Sequence, residues 1–272
     1  SYILEGSLMR ATVRRVGTAV LLAVFLVSVG MMVRQQLLYR QIEADSVEAA
    51  QIAGLTDRDT ASQTPKSSPR ADSGQEEPLE EAASLAAIDL AALRSVNEDV
   101  VGWIAIPGTR LSYPLVQGAD NRYYLSRSWK REPSSGGAVF LESTNSRDFT
   151  DFHTIVYAHQ MRDDSMFGIL SQYGDPDFFR AHPSVYLALD GGVSRYEVFS
   201  AQKAGVKSMV YRLDLEEGGM EAEFIQYCVD NSAVNAGVVP EAGARILTLS
   251  TCVGSDRANR WVVHAVLQET QP

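Results

Sequence analysis

RILTLSTCVGSDRANRWVVHAVL, residues 245–267, sets two apolar, β-branched-rich runs on either side of a polar segment of Gly, Ser, Asp and Asn. Val, Ile and Thr fit a pleated strand, and the intervening residues are turn formers, so the stretch predicts two strands joined by a loop. Working outward, the same alternation of short apolar runs and turn residues recurs through VVGWIAI (100–106), LSYPLV (111–116) and GAVFLE (137–142). It continues through HTIVYAH (153–159), SVYLAL (184–189) and RYEVFSAQ (195–202). Eight short strands predict a mainly β domain, a barrel or a sandwich. Helical patterns interrupt them at about 165–173, 175–181 and 219–231, and Leu85–Val96 carries apolar residues at helical spacing.

The rest of the chain differs in composition. Val16–Val33 is an 18-residue run without a charge, bracketed by Arg14, Arg15 and Arg34. At 1.5 Å per residue it spans about 27 Å, enough for the hydrocarbon of a bilayer. The run is too long for the apolar core of a cleavable leader and lacks an A-x-A-like exit, so it reads as an uncleaved anchor. Arg10, Arg14 and Arg15 on its N-terminal side place residues 1–15 in the cytoplasm and the remainder outside. Residues 35–55 have helical composition, and from about Ala44 to Ala83 the chain is rich in Ser, Thr and acidic groups, too apolar-poor to fold alone. Residues 34–83 therefore read as an extracellular helical extension and disordered acidic tether, with a folded domain at 84–272.

The formal net charge of −10, from 24 basic and 34 acidic residues, excludes a phosphate-backbone binder as the main role. Two cysteines, Cys228 and Cys252, lie in no zinc or dithiol spacing. No metal or cofactor is expected. Cys252 closes a strand beside a loop, an open position for a nucleophile. Cys228 lies within the helical EFIQYCVDN and reads as a buried apolar residue. Of the four histidines, His159 ends a strand and precedes a polar loop as Cys252 does, with Tyr157 on its face by alternation. His153 and His182 read as structural, and His264 lies within a strand rather than at its end. Alternation sets Ser250 beside Cys252. Arg260 opens the strand after the Cys252 loop and could supply a fixed donor fork, with Arg257 as a rival.

Together TLSTC (248–252), the Arg-initiated RWVVHAVL (260–267) and TIVYAHQM (154–161) resemble the sortases, membrane-anchored cysteine transpeptidases of Gram-positive surfaces. NEDVVGWIAIPGTRLSYPLVQGADNRYYL (97–125), GAVFLE and MFGILSQY (166–173) are similar to class B members in particular. The resemblance implies an eight-stranded β-barrel with N-terminal helices and a helix in the connection before the Cys strand. It implies that Cys252 attacks a Thr carbonyl in a C-terminal sorting motif of a secreted protein to form a thioacyl enzyme. His159 would serve as general acid and base, and Arg260 would hold the oxyanion. Asn121, Leu125, Tyr157 and Ser250 would line the peptide groove. The acceptor would be an amine, either of the cell-wall precursor lipid II or of a pilin lysine. Ala158 and Gln160 stand where the family usually has Gly and Asn. Two other readings compete: an inert surface-anchored barrel that binds a partner, and a cell-wall cysteine peptidase that releases its product to water.

Overall fold

The computed structural model describes residues 2–55, 82–215, 219–252 and 258–271, with side chains from residue 17 onward. Eight strands close into a barrel: β1 (Val100–Ala105), β2 (Ser112–Val116), β3 (Val139–Leu141), β4 (His153–Ala158), β5 (Ser184–Leu189), β6 (Gly192–Gly205), β7 (Ile246–Thr251) and β8 (Asn259–Gln271). Their order round the barrel is β1-β2-β3-β4-β7-β8-β6-β5. The eight expected runs are the eight strands. Each of β1, β2, β3 and β7 is buried at every residue, because loops and helices cover the outside of the barrel as side chains fill its inside.

Three neighbouring strands decide where chemistry can occur. β4 and β7 run parallel, in register from His153↔Ile246 to Ala158↔Thr251, so their C-terminal ends meet at one edge of the barrel. β8 runs antiparallel to β7, so it begins at that same edge. Parallel strands need a long crossover, and here it carries β5, β6 and the helix α4 (Glu221–Asp230).

Where α4 packs on these strands, Phe224 contacts both His153 and His264, and the two histidines belong to a buried polar chain. His153 Nε2 and His264 Nδ1 each lie 2.8 Å from Thr248 Oγ1, and His153 Nδ1 lies 2.8 Å from the Arg212 carbonyl. Gln202 Nε2 approaches His264 Nε2 at 3.3 Å. A carbonyl only accepts and an amide nitrogen only donates, so the chain has one sense: Gln202 donates to His264, His264 to Thr248, Thr248 to His153, and His153 to the Arg212 carbonyl. Both rings are neutral in this arrangement. Burial pushes His153 down to about 4 and, with the neighbouring His153, pushes His264 down to about 3. These two histidines are structural.

The helices depart from expectation in three places. The expected helix over Leu85–Val96 is broken: residues 82–86 are helical, and α2 (Leu90–Val96) starts afresh behind Asp89. The Asp89 carboxylate accepts from the Ala92 amide at 2.8 Å, an N-cap that an Asp favours over a helix interior. The Asp89 amide donates to the Ala53 carbonyl at 3.0 Å. The turn at 165–173 is a 3-10 helix over Gly168–Gly174, preceded by Asp164 and Met166 at positive φ, which a regular helix cannot include. By contrast, α3 (Pro176–Ala181) follows an Asp175 cap with Pro first, and α4 also falls where composition put it.

The third departure is the largest. α1 runs continuously over Tyr2–Ile52, and the chain divides into one unit of residues 1–43 and a second of Ala44–Pro272. The first unit holds a helix long and apolar enough to cross a membrane, with mean hydropathy 2.0 and none of that window buried. In the second unit Ala49, Ala50 and Ala53 are buried in one cluster with Leu85, Leu93, Trp103 and Trp129. Trp129 Nε1 donates to the Asp45 carbonyl at 3.1 Å, and Lys130 Nζ lies 3.0 Å from Asp45 and 2.8 Å from Glu48. The folded unit thus begins at Ala44, ahead of the boundary drawn at residue 84. The remainder of the expected tether, residues 56–81, lies outside the described residues. Small side chains allow the helix a close approach that hydropathy does not register. A fragment of residues 84–272 uncovers this cluster and is expected to be less stable than residues 44–272 by several kcal/mol. Urea midpoints measure the difference; coincident midpoints would remove the docking from the account.

Candidate active site

Cys252 follows β7 directly, and its amide donates to the Ala158 carbonyl at 2.7 Å, extending the β4–β7 pairing one step past the last paired residues. That step sets His159 and Cys252 side by side at the barrel edge. Across β7, Ser250 pairs with Val262. Continuing that register sets Cys252 opposite Arg260, and the Trp261 amide donates to Thr251 Oγ1 at 3.0 Å to hold the two strand ends together. Strand register therefore brings the three residues singled out from sequence to the same barrel edge.

The thiol lies 9% exposed in the same apolar cluster as Tyr124, Phe140, Leu125 and Tyr157. Burial pushes it up to about 12, against the positive charge of Arg260, which pulls it down. The same charge acts on the Tyr211 phenol, which burial also raises. Arg260 Nη1 donates to the Asn259 carbonyl at 3.0 Å. Its rival, Arg257, lies outside the described residues, as does Val253.

His159 is half-buried, and its Nε2 lies 2.7 Å from the Leu125 carbonyl. A carbonyl only accepts, so Nε2 carries the hydrogen and Nδ1 is the lone-pair nitrogen in the neutral ring. Gly137 fits the backbone beneath it: φ is +64°, and a Cβ there would stand 2.7 Å from the Tyr124 carbonyl and 2.9 Å from His159 Cδ2. Ala158, standing where a Gly is usual, is fully buried and paired with Thr251. Its methyl is accommodated in the strand.

The four expected groove residues lie around this edge. Leu125 ends the short helical turn Tyr123–Leu125 and supplies the carbonyl that orients His159. Tyr157 packs on Phe140 with ring centroids 5.4 Å apart. Asn121 Nδ2 and the Tyr157 hydroxyl both donate to Glu142 Oε2, at 2.6 and 3.0 Å. Ser250, fully buried, shares a hydrogen bond of 2.9 Å with the Tyr211 hydroxyl. Two residues escaped the sequence reading: Glu142, whose only signal was an acid closing the apolar run GAVFLE, and Tyr211, in a connection without strand or helix pattern. Cys228 is fully buried on the inner side of α4, and burial raises its thiol strongly. Both cysteines are free thiols, so no disulfide joins them. His182 bonds the Pro107 carbonyl at 2.9 Å and plays no part in the site. Among the described residues no cluster of His, Cys, Asp and Glu could hold a metal.

Comparison with known proteins agrees with this geometry. The family model for the sortase domain matches residues 104–268. Sortase B of Listeria monocytogenes is 34% identical over 166 residues, which cover 60% of this chain and 67% of that protein. Sortase B of Staphylococcus aureus is also 34% identical, over 59% of this chain and 66% of that protein. Among solved structures, a Staphylococcus aureus sortase B–substrate complex superimposes with TM-score 0.69 at 26% identity, covering 85% of this chain and 98% of that one. Bacillus anthracis sortase B in complex with AAEK2 gives TM-score 0.68 at 29% identity, over 86% and 98%. The chain belongs to the sortase family of cysteine transpeptidases and falls with its class B members.

Proposed function

We propose that this sortase is anchored by its N-terminal helix with residues 1–15 in the cytoplasm and the barrel outside, where it cleaves the C-terminal sorting motif of secreted proteins. What supports this reading is the β4–β7–β8 register, which leads His159, Cys252 and Arg260 to one barrel edge. Cys252 attacks the carbonyl of the scissile peptide bond, the C–N bond breaks, and the thioacyl enzyme forms. His159 takes the proton of the attacking thiol, delivers it to the leaving amine, and later takes one from the incoming amine. Arg260 stabilises the oxyanion with a charge-assisted donor. Asn121, Leu125, Tyr157 and Ser250 line the groove for the peptide. The arrangement calls for no metal or cofactor.

The acceptor is an amine, on lipid II or on a pilin lysine, and the two differ in what they present. A peptide with a free N-terminal amine stands for the first, and a peptide with a blocked N-terminus and one lysine for the second. Mass analysis of products is expected to show a new amide with one of them and hydrolysis suppressed in proportion. Release to water alone, unchanged by either amine, would make the protein a peptidase instead.

A further inference from the structure

Glu142 lies one residue past β3, only 7% exposed, and both carboxylate oxygens are occupied. Oε2 accepts from Asn121 Nδ2 and from the Tyr157 hydroxyl. Oε1 accepts from Ser143 Oγ at 3.1 Å and from the Thr144 amide and hydroxyl at 3.3 Å each. Burying a carboxylate costs several kcal/mol unless such donors surround it. None of its partners is Cys252, His159 or Arg260, so the charge does not serve the bond-breaking atoms directly.

What the carboxylate does is fix direction. An ionised carboxylate is an acceptor only, so the Tyr157 hydrogen must point at Glu142, and burial together with the Glu142 charge keeps that phenol protonated. The phenol oxygen is left with lone pairs alone. Asn121 is fixed in the same way: Nδ2 faces Glu142 while Oδ1 accepts the Ser143 amide at 2.8 Å, which settles the orientation of the side-chain amide. One remaining Asn121 N–H and one phenol oxygen are what these two residues can offer a peptide. A neutral amide at 142 can keep its oxygen toward both only by turning its NH2 onto the Thr144 amide, itself a donor, and its uncharged oxygen accepts from Asn121 and Tyr157 more weakly than the carboxylate does.

We propose that Glu142 is a positioning residue of the peptide groove, setting the donor and acceptor pattern that Asn121 and Tyr157 present. The inference rests on the reading that those two residues contact the peptide. Because Glu142 acts through them, its loss weakens peptide binding and leaves the chemistry of the thiol alone. A hydrogen bond to a charged group is worth about 1.5–3 kcal/mol, roughly tenfold or more in an equilibrium constant.

The test uses the full chain in detergent micelles and a fluorescence-quenched peptide bearing a motif that the wild type turns over. Glu142→Gln and Glu142→Asp are compared with Asn121→Ala and Tyr157→Phe, and melting temperatures confirm folding. For Glu142→Gln the expectation is KM raised about tenfold, kcat within about twofold, and iodoacetamide alkylation of Cys252 at the wild-type rate. Glu142→Asp should recover part of the loss, and combining Glu142→Gln with Tyr157→Phe should cost less than the sum of the two. If Asn121→Ala and Tyr157→Phe raise KM and Glu142→Gln does not, the positioning role is overturned while the groove stands. Should neither groove variant change KM, the groove assignment itself fails and this inference falls with it. A fall in kcat or in alkylation rate at constant KM would assign Glu142 to the catalytic centre and also overturn the proposal. If Glu142→Gln does not fold, the Glu142→Asp comparison decides by the same KM and kcat criteria.

Discussion

Cys252→Ala is expected to abolish both cleavage and transfer, by at least ~10⁴-fold in kcat, while the barrel remains folded. The thiol lies in an apolar cluster at the barrel edge and makes no side-chain hydrogen bond among the described residues, so Ala leaves a small void costing about 1 kcal/mol. Its chemistry, by contrast, has no substitute: no other nucleophile lies at that edge beside His159 and opposite Arg260, among the described residues. The resting thiol is pushed up to about 12, so the reacting thiolate must be made at the moment of attack, with His159 and the charge of Arg260 as the groups available to favour it. Activity in the wild type should accordingly rise with pH through the neutral range, and no pH should restore it in Cys252→Ala. Residual turnover by the variant, at any pH, would mean that the nucleophile lies elsewhere.

The second large effect concerns stability and not turnover. His153 and His264 are neutral and buried in the folded domain, with folded values of about 4 and about 3, whereas both take up a proton near 6.5 when unfolded. The unfolded chain therefore binds more protons between those values, and stability must rise with pH across the window. Their contribution is complete above about 6.5 and is lost as pH falls toward 4, on the order of 3 kcal/mol for His153 alone. Protonation would also place a donor where His153 Nε2 now accepts from Thr248, breaking the directed chain from Gln202 to the Arg212 carbonyl. Urea unfolding of residues 44–272 at pH 7.5 and pH 4.5 should show this loss. His264→Asn, which keeps one N–H for Thr248 but does not titrate, should show a shallower pH dependence from a lower starting stability. A wild-type stability that is flat across this range would remove the neutral pair from the account.

These effects mark how far the sequence was legible. The strands were readable because β-branched residues alternate with turn formers, and His159 and Cys252 were readable because each closes such a run. What brings them together is not local. The pairing of β4 with β7, residues far apart in the chain, depends on the whole barrel closing, and only the family resemblance supplied it in advance. Arg260 is similar, since its place opposite Cys252 follows from the β7–β8 register across a loop. The helix break at Asp89 was available as an N-cap signal but was masked by a strong apolar period on both sides. The docking of Ala49, Ala50 and Ala53 was invisible to hydropathy, because small residues contribute through close approach and not through their own apolar area. His153 and His264 read as separate single histidines, and nothing in the spacing of 153, 248 and 264 announces that one threonine hydroxyl joins them. Glu142 was missed for the same reason: its partners come from three different segments.

Cys252 is expected to carry the acyl group of a sorting peptide, and intact-mass spectrometry detects that group on the protein. Residues 44–272, wild type and Cys252→Ala, are incubated with a library of sorting-motif peptides without added amine. An acyl adduct is expected on the wild type alone, mapped to Cys252 after digestion, and removed when an amine is added. An adduct on another residue, or one that forms equally on Cys252→Ala, would contradict it.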